Sequence, residues 1–106
     1  MKALMKYQLV LQLPGETMQD YDKMIELEKA VIAELGGLGK VDGHDMGSGE
    51  MNIFIDTDGP ERAFKQLRGL LASRGALSRM TVAYRDFGSD DFTILHPLGA
   101  TKFSIA

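Results

Sequence analysis

The residues from Asp42 to Phe64 constrain the fold more than any other part of this chain. Their sequence, DGHDMGSGEMNIFIDTDGPERAF, predicts a strand, a Gly-Ser-Gly turn, a second strand and a helix that begins near Pro60. Met51, Ile53 and Ile55 share one face of the second strand. Because an apolar strand face must be buried against another element, the segment predicts an α+β domain in which helices cover a sheet.

The patterns on either side of this segment supply the remaining elements. Alternation of apolar and polar residues predicts a strand at 7–13, and Thr17 is placed to cap a helix that Gly36 ends. The second helix ends at Gly75. Two further strands are predicted at 80–85 and 92–96, and the apolar residues of the tail at 101–106 indicate that it docks against the domain.

The order of these elements predicts a topology. Strand, helix, hairpin, helix and strand is the split βαβ order of the ferredoxin-like βαββαβ fold. Right-handed crossovers place both helices on one face of an antiparallel sheet. The expected spatial order is strands four, one, three and two, with the extra C-terminal strand beside strand four. At 106 residues the chain is expected to form a single domain over 1–106.

The run GSGEMNIFIDTDGPERAF resembles small uncharacterised bacterial proteins of ferredoxin-like topology. Some domains of this general kind act as regulatory, dimerising or toxin-neutralising modules. The resemblance therefore implies a non-catalytic protein-interaction or regulatory module, of which an immunity-type protein is one version. It brings no active-site motif with it, so it assigns no functional residues.

Composition narrows the function classes further. The chain has no cysteine, which excludes disulfides, thiol nucleophiles and thiolate metal sites. Its net charge of -3 and scattered basic residues argue against a nucleic-acid partner. Lys6, Gln8 and Gln12 interrupt the apolar N-terminal run, MKALMKYQLVLQLPG, which we interpret as a strand rather than a signal peptide. No segment is long enough to span a membrane, and we expect a cytoplasmic protein.

The acidic, glycine-rich hairpin is the first place to look for a metal or phosphate site. His44 lies near Asp42 and Asp45 in sequence, but strand alternation predicts Asp42 and His44 on one side and Asp45 on the other. A phosphate-binding loop requires Gly-Lys-Ser/Thr at the start of a helix, whereas Glu50 follows Gly49 and begins a strand. The sequence therefore predicts no metal, no cofactor and no catalytic constellation.

A polar sheet face is the leading candidate for a binding surface. If the strand parity is right, the face that no helix covers carries Gln8, Gln12, Asn52, Phe54, Asp56, Thr81 and Arg85. Phe54 is an outward aromatic residue, and Asp56 and Arg85 could pair across strand one. We therefore expect a homodimer that binds a protein partner through this face or an edge strand, with Phe54, Asn52, Asp56 and Arg85 as contacts.

Two alternatives stay open at this point. One is a small-molecule enzyme of the dimeric α+β-barrel type, with a pocket between helices and sheet and with His44, Tyr84 and Asp56 as candidates without assigned roles. The other is a small-ligand regulatory domain that receives a metabolite near the turn at Gly15 or at Gly47.

Overall fold

The computed structural model describes residues 5–106 and confirms the α+β prediction, with two helices and a five-stranded antiparallel sheet. The elements are β1 (Tyr7–Pro14), α1 (Met18–Leu35), β2 (Lys40–Gly47), β3 (Glu50–Thr57), α2 (Pro60–Ser73), β4 (Thr81–Asp86) and β5 (Thr93–His96). Short 3₁₀ turns occupy Gly36–Leu38 and Leu77–Arg79. The first four residues of the N-terminal run, which we interpret as a strand, lie outside the described range.

The strands lie in the order β2-β3-β1-β4-β5. The central strand, β1, pairs antiparallel with both β3 and β4, so that Leu9 stands opposite Ile55 on one side and Tyr84 on the other. The expected additional strand, β5, pairs with β4. This order leaves β2 and β5 as the two edges of the sheet, and β2 is the edge that carries the hairpin.

The core lies between the two helices and one face of the sheet. A single cluster joins Leu9, Leu11 and Leu13 of β1 to Val31 of α1 and Leu67 of α2, so both helices cover the same face. Val31 and Leu67 are fully buried. Truncation of Leu67 to Ala is expected to cost about 2–5 kcal/mol, the usual range for a buried leucine.

The opposite face of the sheet, called here the outer face, is partly covered by the chain itself. Val10 and Ala83 lie on this face and are fully buried. The side-chain Nε2 of Gln12 donates to the backbone carbonyl of Ser104 at 3.0 Å, and the centroids of the Phe92 and Phe103 rings lie 4.8 Å apart. The segment after β5 therefore docks on the outer face, as its apolar residues predict.

A bulge in β2 changes which of its side chains face the helices. Val41 pairs with Ile55, but the register then shifts so that Gly43 pairs with Phe54 and His44 with Ile53. Since Ile53 and Ile55 face the core, His44 faces the helices, and Asp42 is the extra residue of the bulge. The prediction that Asp42 and His44 share a side is wrong, because strict alternation assumes a regular strand.

Helix α1 begins at a capping box that fixes its first turn beside the hairpin. The backbone N–H of Asp20 donates to Thr17 Oγ1 at 3.0 Å, and Asp20 Oδ2 accepts from the backbone N–H of Thr17 at 3.1 Å. Gly15, just before this turn, is tied to the hairpin as well, because its backbone N–H donates to the carbonyl of Gly49 at 3.0 Å. The start of α1 and the β2–β3 turn are thus held side by side.

Candidate functional site

An open groove of about 810 Å³ lies between the start of α1 and the β2–β3 hairpin. We call it the hairpin groove. Its volume falls within the range typical of ligand sites, about 300–1,000 Å³. It is lined by Gly15, Glu16, Met18, Tyr21, His44, Asp45, Met46, Gly47, Ser48 and Gly49.

His44 stands at the inner wall of this groove and both of its ring nitrogens have partners. Its Nδ1 lies 2.8 Å from Glu28 Oε2, and its Nε2 lies 3.3 Å from the hydroxyl of Tyr21. The rings of Tyr21 and His44 meet edge to face, with centroids 5.8 Å apart. The three side chains form a carboxylate–imidazole–phenol chain that ends at the groove.

Two features of the chain bring these side chains together. Tyr21 and Glu28 are seven residues apart, so they lie on the same flank of α1, the flank that faces the edge strand. Regular pairing next to the turn places His44 opposite the core residue Ile53, so His44 faces that flank. The sequence signal for Tyr21 and Glu28 is helical spacing beside the apolar stripe, and that for His44 is alternation with Met46 next to the turn. The sequence does not show that the three side chains meet.

The chemistry of the partners fixes the tautomer of the neutral imidazole. A carboxylate can only accept hydrogen bonds, so the Nδ1–H of His44 donates to Glu28. Nε2 is then an acceptor, and the O–H of Tyr21 donates to it. The phenol oxygen of Tyr21 keeps its lone pairs, and it therefore acts as a hydrogen-bond acceptor toward any ligand in the groove.

The other described residues that line the groove are acidic, polar or apolar, and none is basic. Among the described residues, those that line the hairpin groove include no Lys or Arg. The carboxylate of Glu16 lies over Gly49, with Oε1 3.2 Å from where a Cβ on that glycine would stand. Met18, which is 75% exposed, and the half-buried Met46 supply apolar surface. Such a groove suits a hydrogen-bond donor or cation that is carried on an aliphatic stem.

The candidates for the enzyme alternative do not come together. Tyr84 lies in β4, where its ring packs edge-on against Tyr7 at 5.8 Å. Strands β3 and β1 separate β4 from β2, which carries His44. Asp56 pairs with Gln8 on the outer face, away from the helices. These three candidates therefore lie in three different parts of the sheet, and only His44 lies in a groove.

The predicted outer-face contacts are mostly engaged within the chain. Asn52 is 1% exposed, and its Nδ2 donates to Asp45 Oδ1 at 2.9 Å. Arg85 donates through Nε to Gln8 Oε1 at 3.0 Å, so Gln8 takes the place that the sequence assigns to Asp56. The expected Asp56–Arg85 pair is absent from the described residues, because Gln8 of β1 lies between the two side chains.

Phe54 and Asp56, the other two predicted contacts, also lie on the outer face and are partly buried. Phe54 is half-buried opposite Val10. Asp56 Oδ1 is buried without a hydrogen-bond partner, and burial, with a smaller contribution from Asp42, raises the pKa of the Asp56 carboxyl. A partner that approaches Asn52 would meet the C-terminal segment, which is hydrogen-bonded to the neighbouring Gln12 and Glu50.

Over residues 5–106 the side chains bring together no group of three or more His, Asp or Glu residues that could hold a metal ion. No helix within this range is long and apolar enough to cross a membrane.

Comparisons of the chain with protein-family models, with curated proteins and with solved structures find no match. The hairpin groove is therefore interpreted from its own geometry.

Proposed function

We propose that this protein is a non-catalytic protein-interaction module of ferredoxin-like topology that receives a basic side chain of a partner protein in the hairpin groove. The observation that carries the proposal is the phenol of Tyr21, which His44 and Glu28 orient at a groove whose lining has no Lys or Arg. The topology is supported by the strand order and by the two helices on one sheet face.

The surface beside the groove favours a protein over a small molecule. Met18, Ile25 and Ile32 follow the same flank of α1 as Tyr21, at the edge of the buried stripe, and Ile25 also packs against the core. Met18 is 75% exposed and Ile32 is 54% exposed. This exposed apolar flank extends the contact area well beyond the groove, as a protein partner requires.

Charge supports a basic partner. The chain carries a net charge of -3, and complementary charge speeds association and selects between partners. An immunity-type role, in which this protein neutralises a basic toxin, is the concrete form of the proposal. A homodimer and a cytoplasmic location belong to the same proposal, and light scattering on the purified protein tests the former.

A peptide titration followed by NMR tests the groove directly. The probe is a blocked tripeptide with Arg between two Leu residues, and its control carries citrulline, which has the same shape without the charge. We expect the Arg peptide to shift the signals of Tyr21 and His44 and the citrulline peptide to do so much more weakly. Tyr21→Phe should weaken the response, and Tyr84→Phe, a matched loss of a hydroxyl outside the groove, should leave it unchanged.

Equal shifts from both peptides, or shifts confined to the outer face, would contradict the proposal. Butylamine and agmatine serve as a third arm. If these free amines bind more tightly than the Arg peptide, the groove belongs to the small-ligand alternative, which places a metabolite near the turns at Gly15 and Gly47.

The arrangement of His44 between a carboxylate and a phenol also favours a second candidate, acid–base catalysis by Tyr21. It ranks below binding because both imidazole nitrogens are occupied, so that only the phenol could exchange a proton with a substrate. A screen of 4-nitrophenyl esters tests it. Turnover that is lost in Tyr21→Phe and kept in Tyr84→Phe would support catalysis.

A further inference from the structure

A second groove, of about 480 Å³, lies between the first half of α1 and the segment that follows α2. We call it the helix-end groove. It shares no lining residue with the hairpin groove, so what it binds is independent of the function proposed above. It is lined by Leu13, Pro14, Gln19, Asp20, Asp22, Lys23, Met24, Glu26, Leu27, Met51, Arg74, Ala76 and Arg79.

The floor of this groove is apolar and continuous with the core. Leu13, Met24, Leu27, Met51 and Ala76 all belong to the core cluster, and none is more than 5% exposed. Met24 and Met51 have flexible thioether side chains that adapt to the shape of an inserted group. An alkyl chain that lies in the groove would therefore rest on an apolar floor that can adjust to its shape.

The charges on the α1 rim are mostly committed within the chain. The carboxylate of Asp20 accepts from the backbone N–H groups of Glu16 and Thr17 at 3.0 and 3.1 Å. Glu26 forms an ion pair with Lys29 at 3.6 Å. This leaves Asp22 and Lys23, which are adjacent in sequence and opposite in charge.

The charges on the other rim are not committed. Arg74 caps the end of α2 through its backbone, and Arg79 lies in the 3₁₀ turn that follows. Both side chains are exposed, and within residues 5–106 neither guanidinium makes an ion pair. The groove is lined by three acidic and three basic side chains, and the two guanidinium groups stand together on the rim opposite α1.

We propose that the helix-end groove binds a small amphiphilic carboxylate, with its apolar part on the Met24–Met51 floor and its carboxylate on Arg74 and Arg79. Guanidinium groups bind carboxylates with two parallel hydrogen bonds, which gives both affinity and orientation. A neutral ligand of the same length would gain the apolar contact alone.

Decanoate is the probe, and decanol and decylamine are its neutral and cationic counterparts. Binding to the full chain is followed through the methyl signals of Met24 and Met51. We expect decanoate to shift both signals and to bind about tenfold or more tightly than decanol. A hydrogen bond to a charged group contributes at least the free energy that corresponds to about a tenfold change in affinity. Decylamine should bind no better than decanol.

The double variant Arg74→Gln with Arg79→Gln should lose the preference for decanoate over decanol. Its matched control, Arg62→Gln with Lys65→Gln, removes two charges from the exposed face of α2 outside the groove and should keep that preference. Equal binding of decanoate and decanol to the unaltered protein, or no shift at Met24 and Met51, would overturn the proposal whatever the variants do. Retention of the preference in the Arg74/Arg79 variant would overturn it as well.

Discussion

Asp20 and Asp56 are carboxylates whose surroundings act on them in opposite senses. Hydrogen bonds from the backbone N–H of Glu16, then of Thr17, favour the charged form and lower the pKa of Asp20. Burial, then the neighbouring charge of Asp42, disfavours the charged form and raises the pKa of Asp56. Their effects on folding stability should therefore run in opposite directions with pH.

Replacement of Asp56 by Asn should stabilise the protein at neutral pH. Because its folded pKa is raised, the folded state holds a proton that the unfolded state releases between about pH 4 and the raised pKa, so stability falls as pH rises through that window. Asn removes this loss. We expect a gain below about 1 kcal/mol at pH 7, because Asp56 is only partly buried and water still screens its charge, and no gain near pH 3. Urea unfolding at both pH values measures the difference.

Asp20→Asn is the opposite control. Its folded pKa is lowered, so the carboxylate contributes stability above the unfolded pKa of about 4 that is lost as pH falls through the folded pKa. The variant should be less stable at pH 7 and approach the unaltered protein in acid. If Asp20→Asn and Asp56→Asn shift stability in the same direction at pH 7, our assignment of the two environments is wrong.

The contact with Glu28 also predicts which nitrogen of the His44 ring carries the proton. Where the ring is neutral, the proton should reside on Nδ1, because Glu28 Oε2 lies 2.8 Å away and can only accept. Long-range ¹H–¹⁵N NMR distinguishes the two nitrogens. Glu28→Ala should release the ring and restore the mixture of tautomers, whereas Glu34→Ala, which removes a carboxylate elsewhere on α1, should not. A proton on Nε2 in the unaltered protein would contradict the geometry of the groove.

At the scale of elements, the β2–β3 turn carries Ser48 at a position where a two-residue hairpin prefers Asn. Ser48 and Gly49 both have positive φ, 54° and 80°, which a two-residue type I′ hairpin requires. Ser48→Asn creates the favoured Asn-Gly pair and should stabilise the fold by a few tenths of a kcal/mol up to about 1 kcal/mol. Gly49→Ala should destabilise it, and thermal unfolding of both variants measures the pair. A loss of stability in Ser48→Asn would show that the serine hydroxyl has a role of its own.

The elements were largely predictable because each follows from local patterns. Alternation fixes β1 and β3, the Thr17–Asp20 box fixes the start of α1, and Pro60 fixes the start of α2. The groove was less predictable. His44 faces the helices because it alternates with Met46 from the turn, but which helix residues it meets depends on how α1 packs beside β2, and no local pattern gives that. The outer face was predicted with the correct parity, but its cover was not, because a segment without regular periodicity gives no sign of where it docks.

At the scale of the whole molecule, one carboxylate ties the C-terminal segment to the sheet. Glu50 Oε2 accepts from Gln12 Nε2 at 3.0 Å, from Asn52 Nδ2 at 3.2 Å and from the backbone N–H of Ala106 at 3.1 Å. Asn52 also donates to Asp45, which lines the hairpin groove. The network that holds the C-terminal segment therefore reaches β2, the strand that forms one wall of the groove.

Glu50→Ala should loosen the C-terminal segment and lower the stability of the whole domain. The change leaves the buried amide of Asn52 with one acceptor fewer, a loss expected to cost about 1–3 kcal/mol. The N–H of Ala106 should exchange with solvent faster, and carboxypeptidase should remove the terminal residues sooner. Glu26→Ala, which breaks only an exposed ion pair on α1, should change stability by less than about 0.5 kcal/mol and leave digestion unaltered. Unchanged digestion in Glu50→Ala would mean that Phe103 and its apolar contacts hold the segment without help from the network.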